Sequence, residues 1–241
     1  MEQWNGFLCE TFEFEGYPAW VVFPCDEKRK GKLAIKTEYK NAFPQAIEIP
    51  LLEAGYHVCF IKNKSRFGDE EDLARKARFI RYVQGKYSLD DKCVPVGMSC
   101  GGLIAIRLAA TYPELISCLY LDAPVINYMS WPCGFGIGKG ANDNHNEIIN
   151  ALSLSSVAEV LAYPGMPLYL IPTLLKHRIP MVMVAGDSDA VVPYCENGVF
   201  LQNAYELAGI PIEVYIKQGC NHHPHGLTNP EPALKFILKH S

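Results

Sequence analysis

The sequence predicts an α/β protein with a mostly parallel central sheet of about eight strands and helices on both faces. Two observations carry this prediction. Short apolar runs alternate along the chain with segments typical of helices, which is the pattern of successive βαβ units. Some of the runs, such as 180–185, are apolar without interruption, and strands of that kind are buried on both faces of a parallel sheet.

The predicted elements follow one another in a regular order. The chain starts with two strands in a hairpin-like arrangement, broken at Gly16-Tyr17-Pro18. Strands are predicted at 7–14, 19–23, 32–37, 57–61, 93–96, 118–121, 180–185 and 212–216. Helices are predicted at 43–54, 70–85, 103–110, 196–208 and 232–239. A segment at about 125–176 is rich in Gly, Pro, Trp and Asn, and it predicts a lid inserted over one edge of the sheet within a single domain, 1–241.

Composition narrows the class of protein and its partners. With 49% apolar and 20% charged residues, the 241-residue chain suits a folded domain rather than a disordered or coiled-coil protein. The net charge of -4, without a long basic block, argues against a nucleic-acid partner. No window reaches the roughly eighteen apolar residues of a membrane span, and the chain does not start like a secretory signal. Its nine cysteines lie mostly in apolar runs and are expected to be free thiols. We expect a cytoplasmic protein without a membrane partner.

The most specific local pattern is Gly97-Met98-Ser99-Cys100-Gly101, a GxSxG sequence between a predicted strand and a predicted helix. Glycines two residues before and two residues after the serine allow a sharp strand-to-helix turn, which exposes the serine hydroxyl at the start of the helix. The same turn directs the backbone N–H of Cys100 toward the place where an oxyanion would form. Ser99 is therefore the candidate nucleophile.

A serine nucleophile needs a base and an acid that orients the base. The loop after the seventh predicted strand contains Asp187 and Asp189, of which Asp189 is the candidate acid and Asp187 the residue that holds the loop. The loop after the eighth contains His222, His223 and His225. His222 is favoured as the base because it comes first after the strand, although the sequence allows any of the three. A zinc site is the rival interpretation of these histidines, and it is less favoured because no partner lies at a familiar ligand spacing.

The order Ser99, Asp189, His222 is the order found in α/β-hydrolases. Four stretches of the chain resemble a bacterial branch of α/β-hydrolase-fold proteins that are classed as serine esterases: 31–61, 94–131, 185–197 and 219–227. The most distinctive piece of this resemblance is His222-His223-Pro224-His225. The resemblance implies the roles of nucleophile, acid and base for Ser99, Asp189 and His222.

These residues predict a serine hydrolase that cleaves a small or carbohydrate-linked ester without a cofactor or metal. The expected oxyanion donors are the backbone N–H groups of Cys100 and of Glu38, the latter in the loop after the third strand. Cys100 is a departure from the family pattern, in which a basic residue follows the nucleophile. Trp131, His223 and His225 are expected to contact the substrate. A small serine peptidase with the same residues and a non-catalytic binding protein of the same fold are the alternatives.

Overall fold

The computed structural model describes residues 2–141 and 144–241, and within them nine strands form one sheet with helices on both faces. The strands are β1 (Glu2–Trp4), β2 (Phe7–Phe14), β3 (Tyr17–Val22), β4 (Lys32–Lys36), β5 (Tyr56–Ile61), β6 (Cys93–Met98), β7 (Leu119–Asp122), β8 (Met181–Gly186) and β9 (Ile212–Lys217). The helices are α1 (Glu48–Glu53), α2 (Glu70–Tyr87), α3 (Cys100–Thr111), α4 (Asn144–Ala151), α5 (Val157–Ala162), α6 (Pro167–Lys176), α7 (Gly198–Ala208) and α8 (Glu231–His240). The prediction of an α/β sheet flanked by helices is confirmed.

The sheet is mixed, with the strand order β1-β2-β3-β5-β4-β6-β7-β8-β9. Strands β4 to β9 run parallel to one another, whereas β1, β2 and β3 join the sheet in antiparallel pairs. Within the described residues the sheet therefore has nine strands where about eight were predicted, and the predicted parallel arrangement applies to β4 to β9 but not to β1, β2 and β3. The strand that the prediction misses, β1, has three residues and pairs with β2 from Glu2↔Cys9 to Trp4↔Phe7. A strand this short has no detectable periodicity, so its pairing partner alone defines it.

Side chains of the inner strands alternate between two apolar cores, one on each face of the sheet. In β7, Leu119 and Leu121 belong to one core and Tyr120 between them belongs to the other. Helices α2, α3, α6 and α7 pack on the first core, and α1 and α8 pack on the second. The nine cysteines are unpaired, and five of them are buried. Burial on both faces is the reason that these strands are uninterrupted apolar runs in the sequence.

The predicted helix 43–54 is in fact two elements, a short 3₁₀ turn at Pro44–Ala46 and then α1. Phe43 has a left-handed backbone with φ of 47°. Proline disfavours the helical conformation in the residue before it, so Phe43 cannot belong to a helix that continues into Pro44.

The chain between β7 and β8 contains α4, α5 and α6, and its described residues include no strand, as expected for the segment at about 125–176. The function of this segment as a lid stays a prediction. By length and composition alone, Val157–Lys176 could cross a membrane, so the expectation that no window is apolar enough is wrong here. A turn at 163–166 divides this stretch, and the ten residues of α6 reach only about 15 Å, half the thickness of a bilayer core.

A buried ion pair fixes the loop that leaves β4. Lys36 is the last residue of β4 and Glu48 the first of α1. Their side chains are almost fully buried and form a salt bridge with each other. Lys36 Nζ also donates a hydrogen bond to the main-chain oxygen of Ala42 at 2.7 Å. Burial raises the pKa of the Glu48 carboxyl, and the charge and hydrogen bond of Lys36 oppose that rise. The loop 37–43 is thereby attached to the carboxyl edge of the sheet.

Replacing Lys36 by Met should leave the Glu48 carboxylate buried without its cation and lower the free energy of unfolding by about 3–5 kcal/mol. The double variant Lys36→Met/Glu48→Gln should recover a large part of this loss because no charge remains to be buried. In Lys36→Met the folded-state pKa of Glu48 lies above its unfolded value, so protonation relieves the penalty, and the gap between single and double variants should be smaller near pH 5 than near pH 8. Urea unfolding followed by circular dichroism measures both effects. A single variant as stable as the wild type near pH 8 would contradict this account.

Candidate functional site

Ser99 occupies the turn between β6 and α3. Its backbone angles, φ 52° and ψ -118°, are uncommon for a residue with a side chain. Its N–H donates to the main-chain oxygen of Asp122 at 2.9 Å, and its own carbonyl oxygen accepts from Gly102 at 2.9 Å and Val125 at 3.1 Å. The turn is therefore fixed on both sides, by β7 and by the first turn of α3.

Two glycines allow the chain to make this turn. A Cβ on Gly97 would lie 2.5 Å from the carbonyl oxygen of Gly101, and a Cβ on Gly101 would lie 3.0 Å from Thr37 Oγ1. Thr37 Oγ1 also donates to the Gly101 carbonyl at 2.7 Å, which joins the turn to the loop after β4. The GxSxG spacing is thus a requirement of close backbone packing.

Ser99, His222 and Asp189 form a continuous chain of hydrogen bonds. His222 Nε2 lies 3.1 Å from Ser99 Oγ, and its Nδ1 lies 2.7 Å from Asp189 Oδ2. Asp189 Oδ1 accepts the main-chain N–H groups of Val191 and Val192, each at 2.8 Å. Burial acts to raise the pKa of Asp189, but the hydrogen bonds from His222 and the two amides outweigh it and hold this pKa below its ordinary value. An anionic Asp189 favours the tautomer with hydrogen on Nδ1, which directs the Nε2 lone pair toward Ser99.

The two loops that supply the acid and the histidine are bonded to each other. Asp187 Oδ1 accepts the main-chain N–H of Gly219 at 2.8 Å, and so it supports the loop rather than the His222 ring. Asn221 Oδ1 accepts the N–H groups of Ala190 at 3.0 Å and of His222 at 2.7 Å. These bonds set the distance between the ends of β8 and β9, on which the contact of Asp189 with His222 depends.

His225 has an acidic partner of its own. Its Nδ1 lies 2.7 Å from Oδ1 of Asp122, and the other carboxylate oxygen of Asp122 accepts the N–H of Gly226 at 2.5 Å. Both side chains are buried. Asp122 was not among the site residues predicted from the sequence, although it stands at the end of a buried strand, where the site residues of open α/β sheets collect.

The imidazoles of His222, His223 and His225 form a compact cluster. Their ring centroids are 4.9 to 5.1 Å apart, and one nitrogen of each lies within 4.8 Å of the other two. His223 is the exposed member and stacks on Phe43, with ring centroids 5.6 Å apart. Of the three, the structure places His222 between Ser99 and Asp189. Clustered imidazole nitrogens are also suitable ligands for Zn²⁺, so the geometry is compatible with both interpretations of these histidines.

A cleft of about 380 Å³ opens at the Ser99 hydroxyl. It is lined by Tyr39, Ala42, Phe43, Arg66, Met98, Ser99, Cys100, Trp131, Val191, His222, His223 and His225. Trp131 is buried, stacks on Phe67 with ring centroids 5.8 Å apart, and lies under the Arg66 guanidinium at 5.4 Å. It is therefore both a packed residue and a wall of the cleft.

Arg66 lines the cleft and was not predicted from the sequence. Its guanidinium donates to the Glu147 carboxylate of α4 at distances from 2.5 to 3.1 Å. This ion pair connects the wall of the cleft to the segment inserted between β7 and β8. A single arginine in a loop carries no spacing pattern, so the sequence offered no signal for it.

The two expected oxyanion donors differ in their placement. Cys100 lines the cleft next to Ser99, and burial raises the pKa of its thiol to about 12, which keeps the thiol protonated. Glu38 does not line the cleft. Its carboxylate accepts a hydrogen bond from Asn63 and borders a separate groove, while Tyr39 takes the place along the cleft.

No protein-family model matches the chain, and no curated protein matches its sequence. Solved structures do match. A truncated carbohydrate esterase from gut microbiota has a TM-score of 0.72 and 17% identity, over 97% of this chain and 96% of that one. A bifunctional GH43-CE protein from Bacteroides eggerthii has a TM-score of 0.73 and 20% identity, over 95% of this chain and 36% of that one. Dipeptidyl peptidase 4 of Porphyromonas gingivalis has a TM-score of 0.72 and 16% identity, over 99% and 36%. The chain spans about a third of the length of the last two. At these identities the likeness concerns the fold alone, which this chain shares with an esterase and a peptidase.

Proposed function

We propose that the protein is a serine hydrolase that cleaves a carboxylic ester through Ser99, His222 and Asp189. The observation that carries this proposal is the hydrogen-bond chain from Asp189 through His222 to Ser99, beside the cleft. A serine is activated when its hydroxyl is hydrogen-bonded to an imidazole whose other nitrogen is hydrogen-bonded to a carboxylate. The backbone conformation of Ser99 at the start of α3 supports the same role.

The proposed reaction has two halves. Ser99 Oγ attacks the ester carbonyl carbon while its proton passes to His222 Nε2, and the imidazolium then gives that proton to the departing alkoxide oxygen. The acyl group is left on Ser99. Water attacks this acyl-enzyme, His222 takes a proton from the water and returns one to Ser99 Oγ, and the carboxylic acid leaves. Asp189 stays ionised throughout and stabilises the imidazolium.

Main-chain donors stabilise the negative charge on the carbonyl oxygen in this proposal. One is the N–H of Cys100, at the start of α3, where the helix dipole also favours negative charge. The second comes from the segment 38–39 after β4, where the Glu38 N–H is the donor predicted from the sequence and Tyr39 is the residue that lines the cleft. The Thr37 hydrogen bond to Gly101 holds this segment against the Ser99 turn.

The substrate we favour is a small or carbohydrate-linked ester. A cleft of about 380 Å³ accommodates a small ligand, and Phe43 and Trp131 contribute aromatic surface to its walls. The carbohydrate esterase among the matched structures supports this choice by analogy of fold, and so does the resemblance to a bacterial esterase branch.

A substrate panel separates this proposal from its alternatives. Hydrolysis of p-nitrophenyl acetate and butyrate without hydrolysis of aminoacyl anilides supports the ester hydrolase. Faster hydrolysis of the anilides would favour a peptidase. Absence of both activities, together with absence of fluorophosphonate labelling, would favour a non-catalytic protein.

Replacing Ser99 by Ala should abolish labelling by a fluorophosphonate probe and reduce ester turnover by about a thousandfold or more, because the nucleophile is lost. Cys100→Ala is the matched control at the adjacent position. Its buried, protonated thiol has no role as a nucleophile, so this variant should still be labelled. Mass spectrometry of the labelled peptide identifies the modified residue. Labelling of a residue other than Ser99 would refute the assignment.

Among the histidines, His222→Ala should be nearly inactive, with a loss of turnover of about a thousandfold or more, since among the described residues only its imidazole is hydrogen-bonded to Ser99. His223→Ala and His225→Ala should retain measurable turnover, with changed KM or stability instead. Steady-state kinetics on one p-nitrophenyl ester compares the three. If His222→Ala kept full activity while another variant lost it, the base would be assigned wrongly.

The two aspartates of the β8 loop should differ in what their loss affects. Asp189→Asn should lower kcat by about a thousandfold or more with a small change in melting temperature, because it removes the anion that orients His222. Asp187→Asn should lower the melting temperature more than kcat, because it weakens the bond to the Gly219 N–H. Kinetics and thermal unfolding on both variants make the comparison. The opposite pattern would exchange the two roles.

A further inference from the structure

We propose that His222, His223 and His225 also form a Zn²⁺ site, and that occupation of this site reversibly blocks the hydrolase. The blocking rests on the proposed function above, whereas the metal site itself does not. The zinc acts here as an inhibitory ligand, and the reaction does not require it.

The three histidines are near enough to one another to be brought onto one metal ion. One ring nitrogen from each histidine lies within 4.8 Å of the other two. Nitrogens that share one tetrahedral Zn²⁺, each at about 2.0–2.1 Å, lie roughly 3.3 Å apart. Zinc binding therefore requires the three nitrogens to approach one another by up to roughly 1.5 Å. His223 is exposed and gives the ion access from solvent.

Two of the three imidazoles have a carboxylate on Nδ1, as metal-ligating histidines commonly do. Asp189 Oδ2 lies 2.7 Å from Nδ1 of His222, and Asp122 Oδ1 lies 2.7 Å from Nδ1 of His225. A carboxylate on the far nitrogen of a ligating histidine fixes the ring and makes the metal-facing nitrogen more basic, as in carboxylate–histidine–zinc units. In both residues the nitrogen left for the metal is Nε2. The two buried carboxylates also supply negative charge beside the cation.

The metal and the serine compete for the same lone pair. His222 Nε2 is the atom that lies 3.1 Å from Ser99 Oγ, and it can accept a proton only while no metal is bound to it. A bound Zn²⁺ would thus remove the base and would also sit in the cleft that the three histidines line. A water molecule or the Ser99 hydroxyl completes the four ligands that zinc prefers.

The binding test uses Zn²⁺ alone, in competition with a chromophoric chelator, on the wild type and on Ser99→Ala. We expect one zinc per chain in both proteins, with the affinity reduced by about a hundredfold in His225→Gln and by about tenfold or more in His223→Gln. His177→Gln is the matched control, since His177 is an exposed histidine outside the cluster and its loss should change nothing. Affinity that is unchanged in both cluster variants would overturn the proposal and place the zinc elsewhere, for example on exposed thiols.

The activity test follows p-nitrophenyl ester hydrolysis at increasing zinc, with each variant compared to its own zinc-free rate. Wild type and His177→Gln should lose more than about nine-tenths of their turnover at saturation and regain it with EDTA, while His223→Gln should need about tenfold more zinc or above. Mg²⁺, which prefers oxygen ligands, should have no effect. Full turnover of the zinc-saturated wild type would overturn the inhibition. If the zinc-free protein hydrolyses no ester but binds zinc as described, the proposed function fails and the metal site stands.

Discussion

The turn at Ser99 is the constraint on which the rest of the site depends. A residue with a side chain occupies an unfavourable backbone conformation there, and such a conformation persists only where the surroundings determine it. Here the main-chain hydrogen bond from Ser99 to Asp122 on the neighbouring strand fixes the turn, and glycine at positions 97 and 101 leaves room for it. Because the turn is built from inner strands of the sheet, the hydroxyl has a fixed position toward which the other loops converge.

The loops converge at the carboxyl edge of the sheet, where three pairs of buried ionisable side chains lie. Lys36 pairs with Glu48, His225 with Asp122 and His222 with Asp189, all at or just beyond the carboxyl ends of parallel strands. The first of these is an ion pair, and in the other two a histidine is hydrogen-bonded to a carboxylate. Buried pairs of either kind seldom add much stability over apolar residues of the same volume, because desolvation offsets their attraction. Their presence at one edge is better explained by positioning. Each pair holds a loop or a ring in one orientation, which a well-packed apolar contact would not specify as sharply.

The cleft wall that contains Trp131 is held by hydrogen bonds to the residues just before α7. Asn197 Oδ1 accepts the N–H groups of Ile126 and Asn127, each at 3.0 Å, and Glu196 accepts the hydroxyl of Ser130 at 2.6 Å. Trp131 follows directly, so its ring position depends on these bonds. The Arg66 contact with Glu147 adds a connection to α4. The inserted segment is therefore joined by polar contacts to the loops that follow β5 and β8.

The sequence by itself determined what depends on local pattern. Apolar periodicity and length identified the inner strands and most helices to within a few residues. The GxSxG spacing located the turn, because the close backbone packing that requires its glycines involves only five consecutive residues. The chain order of serine, acid and histidine was also visible. Only the tertiary structure decided which histidine meets Asp189, that His225 pairs with Asp122, that β1 joins the sheet and that Tyr39 and Arg66 line the cleft. Those outcomes depend on the relative positions of loops far apart in the chain, set by hydrogen bonds such as those of Asn221 and Asp187, and no local pattern encodes such distances.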